Sequence, residues 1–197
     1  LHYPLRRQRQ MCIRDSYRIG GIDVSIDILD QIVDQNIDSS ESAYFYGLLY
    51  KAKKNNMIDD LMAYVDITDD TTRKKQCYWQ MIRTIKKNDN DPSLEAQLYL
   101  KAVNLYDEEY KYLASLLNSF AWRMTEIGQL LPEALEKVNY ALEIKEDLKI
   151  LDTKAEVLWK LGRVEEAIEV INECIQGNPE YQHYQDQKAK FLETRAL

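Results

Sequence analysis

From Leu151 onward the apolar positions recur with helical spacing. Leu151, Ala155, Leu158 and Leu161 follow one another at intervals of four, three and three, which places them on one face of a helix. Gly162 interrupts the pattern where a glycine just past a C-terminus would end that helix. Ala167, Ile168, Ile171, Cys174 and Ile175 then mark a second stripe, closed by Gly177, Asn178 and Pro179. The pattern predicts two amphipathic helices joined by a tight turn.

The same arrangement precedes it. Gly128 and Gly162 stand 34 positions apart, and Ala134, Val138, Ala141 and Leu142 each precede Ala167, Ile171, Cys174 and Ile175 by 33. The one-residue difference falls in the loop, where GQLLPEA is one longer than GRVEEA. Pro132 sits where a first-turn proline is tolerated, because that backbone N–H has no helical partner. Small residues at one fixed point of each helix, Ala121, Ala134, Ala155 and Ala167, allow close packing that a larger side chain would prevent. A pair this short cannot bury its apolar stripe alone and must stack on neighbours.

At these residues the chain resembles the tetratricopeptide repeat (TPR) family. The family's succession of small residue, large apolar residue, turn glycine, alanine, large apolar residue, alanine and proline corresponds to Ala155, Leu158, Gly162, Ala167, Ile171, Cys174 and Pro179. Leu151 stands where an aromatic is common, and Cys174 replaces an alanine. The unit at 114–147 matches through Ala121, Met124, Gly128, Ala134, Val138 and Ala141 but lacks the closing proline. The clear resemblance covers about residues 111–181. It implies an all-α fold, an α-solenoid of antiparallel helix pairs with about nine or ten helices and no significant sheet.

The resemblance also implies a function, a scaffold or adaptor that holds a peptide or partner helix in a concave groove. In this family the first helix of each unit lines that groove. Carried over by position, the groove residues are Asn118, Trp122 and Thr125 in one unit and Asp152, Glu156 and Trp159 in the next. Family members that bind chaperone tails clamp a terminal carboxylate with lysine, arginine and asparagine. Only Asn118 keeps that chemistry here, and Asp152 and Glu156 would repel a carboxylate. The implied partner is a protein or peptide, neutral or basic rather than acidic, anchored on Trp122 or Trp159.

Upstream the repeat signal fades. Gly47 and Tyr50 keep a small-to-aromatic spacing before a turn at Asn55 and Asn56, and a further helix pair brackets NDNDP, with Asp91 or Ser93 as a candidate cap. Ile26, Leu29, Ile32 and Val33 fit a helix better than a strand. The expected organisation is a helical region with degenerate repeats at 17–110, then two repeats and a capping helix at 111–197. YQHYQDQKAKFLE supplies the cap.

Residues 1–16 stand apart. Arg6, Arg7, Arg9 and Arg14 crowd the head of a chain whose net charge is −7. Translated back into codons, the segment resembles a transposase-type adapter oligonucleotide. That reading makes it a non-native, disordered addition and places the native N-terminus upstream of Tyr17. Without its arginines the charge is more negative still, a poor surface for nucleic acid.

Chemistry for catalysis is sparse. Three cysteines without a CxxC spacing argue against zinc or a disulfide framework and for buried, reduced thiols at Cys77 and Cys174. His183 is the single histidine outside the opening segment, and it reads as a surface residue. The pairs Asp59–Asp60, Asp69–Asp70 and Glu108–Glu109 fall at turns and helix starts, where they complement the helix dipole. Of the 14 tyrosines, those in YFYGLLY and YDEEYKYL keep helical spacing and read as core. No catalytic residue, metal or cofactor is expected, and no apolar run is long enough to span a membrane. A rival class is a helical tail of a truncated enzyme, such as a bacterial thioredoxin-fold protein.

Overall fold

The computed structural model describes residues 21–35, 40–88 and 91–195. Residues 1–16, with Cys12, lie outside these. Among the described residues there are ten helices and no strand, in agreement with the all-α expectation. They are α1 (21–34), α2 (Ser40–Asn55), α3 (Asp59–Ile67), α4 (Thr71–Asn88) and α5 (Pro92–Val103), followed by α6 (Leu113–Ile127), α7 (Leu131–Ile144), α8 (Leu148–Lys160), α9 (Val164–Gly177) and α10 (Gln182–Arg195). Contacts divide the chain into two compact units, Leu1–Asn90 and Asp91–Leu197.

In the first unit α2, α3 and α4 pack on one another. Leu29 of α1 is fully buried, and a Cβ placed on Gly47 of α2 would stand 3.9 Å from its Cβ, an ordinary contact distance. Asn56 takes the left-handed conformation between α2 and α3, at a φ of 56°, which asparagine tolerates better than most residues. Arg73 ties three helices together: its Nη1 donates to Tyr64 Oη at 3.0 Å and to Glu41, its Nη2 to Ser42 Oγ at 3.3 Å, and its guanidinium lies 5.3 Å from the Phe45 ring centre.

In the second unit every helix packs on its successor in sequence from α5·α6 to α9·α10, and α8 also packs on both α6 and α10. Contact between alternate helices is what stacked helix pairs require. Local signals set the helix ends. Asp91 caps α5, its Oδ1 accepting from the Leu94 N–H at 2.9 Å, and Pro92 opens the helix. Gly128 and Gly162 follow α6 and α8 with φ of 65° and 77°, the left-handed turn their spacing predicts. Asp147 caps α8 through the Lys149 N–H, 2.9 Å away. That bond and Lys145 hold its carboxyl below the ordinary aspartate range, the lysine contributing most.

The aligned alanines are the close contacts of the stack: Ala121, Ala134, Ala155 and Ala167 are all fully buried. Around them Phe120, Met124, Val138, Ile171, Cys174 and Phe191 are equally inaccessible, each large side chain contributing roughly 1.5–3 kcal/mol relative to exposure. Tyr99 of α5 meets Phe120 of α6 edge to face, centroids 5.5 Å apart. Cys77 and Cys174 are free and buried, and desolvation pushes their thiols up to about 11 and about 12.

Candidate peptide-binding face

The six positions carried over from the repeat pattern lie on α6 and α8, both in the second unit. On α6, Trp122 is half-buried, and its indole N–H donates to Glu126 Oε1, one turn on, at 3.1 Å. Glu126 also accepts from Arg123 at 3.0 Å. Thr125 is buried and donates from Oγ1 to the Trp122 carbonyl at 2.6 Å, so its hydroxyl is spent on its own helix. Asn118 is half-buried, and its Oδ1 is shielded without a hydrogen-bond partner.

Beneath this face, Glu95 of α5 is 3% exposed and accepts a two-pronged contact from Arg123, Nε to Oε1 at 2.7 Å and Nη2 to Oε2 at 2.9 Å. The fork geometry suits guanidinium and carboxylate and offsets the cost of burying the charge. The contact raises the Arg123 pKa further, chiefly through the Glu95 hydrogen bonds.

On α8 the three positions share one neighbour, α10. Asp152 Oδ2 is 3.0 Å from His183 Nε2, Lys190 Nζ donates to Glu156 Oε2 at 2.5 Å, and Trp159 stacks on Phe191 with centroids 5.7 Å apart. Lys190 Nζ also lies 4.4 Å from the Trp159 ring centre, a cation–π distance, with Lys160 Nζ at 4.7 Å. The order of these pairs rises along both helices, so α10 runs parallel to α8. Asp152 and Glu156 are consequently 9% and 6% exposed rather than open to solvent. Desolvation raises the Asp152 pKa, His183 opposing the shift.

Repeat spacing alone misses His183, Lys190 and Phe191 as members of the site. His183 reads from sequence as a surface residue, and the imidazole is 40% exposed, but it is also the partner of a buried carboxylate. The usable signal is the stripe Tyr184, Gln187, Phe191, buried at helical spacing in an otherwise polar helix. It sets which side of α10 faces α8 and α9, and hence which polar residues flank that seam. Among the described residues no group of histidines, cysteines and carboxylates is placed to hold a metal, and no helix is long and apolar enough to cross a membrane.

No family model and no curated protein matches the chain. Among solved structures, a thermophilic TPR protein of Thermus thermophilus is similar to it at 14% identity, over 92% of this chain and 96% of that one, with a TM-score of 0.47.

Proposed function

We propose that the chain is a protein-interaction module whose second unit holds a peptide or partner helix on the first-position helix α6, beside α8. The observation that carries this reading is the seat of α10. A helix already lies parallel to α8, contributing a histidine, a lysine and a phenylalanine to Asp152, Glu156 and Trp159. This is the chemistry of helix capture, with an aromatic anchor at one end of the seam and charge pairs along the rest.

With α8 engaged by α10, the partner takes the α6 portion, reading Asn118 and Trp122 directly while Thr125 fixes the Trp122 backbone. A neutral or basic segment suits it. At surface screening a carboxylate near Glu126 would be opposed by about 1 kcal/mol, which separates weak candidates. The experiment is selection of helical peptides from a displayed random library against the whole chain, followed by affinity measurement with Trp122→Ala. Enriched neutral or basic peptides that lose tenfold or more affinity support the reading. Failure to enrich any peptide, or binding indifferent to Trp122→Ala, contradicts it.

A further inference from the structure

A second side of α8 is open. At 3.6 residues per turn, Leu151 lies roughly 100° around the helix from the stripe that meets α10 and Lys154 farther round, while Leu148 sits one turn before Asp152 at the edge of that stripe. On that side α8 forms the floor of a groove of about 960 Å³, with Asn139, Leu142 and Glu143 of α7 on one wall and Glu173 of α9 on the other. Leu142, Leu148 and Leu151 are each only half-buried, so an apolar strip stays accessible after the stack has formed. A Cβ on Gly177 would come within 2.8 Å of Leu148 Cδ2, so Leu148 lies directly on the glycine that ends α9.

The rim is acidic. Glu143, Glu146 and Glu173 are exposed, and Lys154 is the single cation in the lining. Asp147 also lines the groove but is engaged by Lys145 and by the Lys149 N–H. Glu143 lies in the last turn of α7 and Glu173 near the end of α9, where the helix dipole is negative and neither last turn carries a basic residue, while Glu146 lies in the loop between α7 and α8. Glu143 and Glu173 oppose the dipoles of the helices that bear them, and a cationic occupant offsets that penalty.

We propose that the α7–α9 groove is a second docking surface for a partner-protein segment that is amphipathic and basic. Its apolar side chains seat on Leu142, Leu148 and Leu151, and flanking lysines or arginines meet Glu143, Glu146 and Glu173. The site is distinct from the α6 face, because it is built from α7, α8 and α9.

The test uses the full chain, labelled with nitrogen-15, and two synthetic helical peptides with the same leucine spacing, one flanked by lysines and one by glutamates. The lysine peptide is expected to shift the amide resonances of 139–154 and 170–177. Its affinity should fall about tenfold or more in the triple variant Glu143→Lys, Glu146→Lys, Glu173→Lys. It should change little in Asp60→Lys, Asp66→Lys, Glu180→Lys, which alters exposed acids elsewhere by the same charge. Trp122→Ala should leave it unchanged, which separates this site from the α6 face. Equal losses in the two triple variants would reduce the effect to diffuse attraction and overturn the proposal. So would shifts centred on other residues, equal binding of the glutamate peptide, dependence on Trp122, or no binding by either peptide.

Discussion

Asp152 Oδ2 stands 3.0 Å from His183 Nε2, while Asp152 Oδ1 is buried without a hydrogen-bond partner. Half of the carboxylate is compensated by α10, and the other half keeps its desolvation cost. One turn along α8, Glu156 is compensated by Lys190 of the same helix α10. The seam between α8 and α10 therefore combines polar pairs and an aromatic stack, and the acidic stripe of α8 is held inside the protein by the last helix of the chain.

The first prediction concerns pH. Desolvation raises the Asp152 pKa; His183 and Lys190 of α10 oppose the shift, Glu156 adds to it, and the Cys174 thiol faces it from α9. The folded state thus holds the aspartate proton more tightly than the unfolded state does. As pH rises from the unfolded value, about 3.9, to the raised folded value, stability from this group falls, then levels. In a His183→Gln background, which removes the imidazole titration, Asp152→Asn should abolish that loss. The gain in unfolding free energy from Asp152→Asn, measured by urea titration, should grow with pH from about 4 and then plateau. A gain that is flat or shrinks with pH contradicts the burial of an under-compensated carboxylate.

Ala155 tests the stack. It is fully buried beside Leu158, Ala167, Ile171 and Cys174 in the apolar cluster of α8, α9 and α10. Ala155→Leu should overpack that contact and cost about 1–3 kcal/mol, read as a lower denaturant midpoint with an unchanged slope. An unchanged midpoint would mean that the helices are not as close as the structure places them.

The close-packed alanines are legible in the sequence because packing distance constrains residue size at each repeat, so alignment alone picks out Ala121, Ala134, Ala155 and Ala167. The turn glycines are legible for a similar reason: a positive φ admits few residues. The state of the α8 stripe is not. Repeat spacing tells which side of α8 faces along the stack, but not that the next helix supplies a histidine and a lysine at the heights of Asp152 and Glu156. Glu95 and Arg123 are equally hidden, since an ion pair 28 residues apart leaves no periodic trace.

That ion pair carries its own prediction. Arg123→Ala leaves the Glu95 carboxylate buried and uncompensated, and should cost about 3 kcal/mol, the lower end for such a loss because Arg123 retains some exposure. Replacing both residues by leucine should cost much less. A double variant less stable than Arg123→Ala would show that the charge pair, rather than its burial, is what α5 and α6 require.

We propose that the second unit holds a partner segment on α6, beside a seat already filled by α10. Hydrogen exchange of the whole chain, with and without a peptide selected against it, tests this most directly. Binding should slow exchange in the Leu113–Ile127 helix while the amides of Gln182–Glu193 keep their rates, because α10 stays in place. Protection confined to other helices, or faster exchange across α10 as the peptide displaces it, would contradict the account.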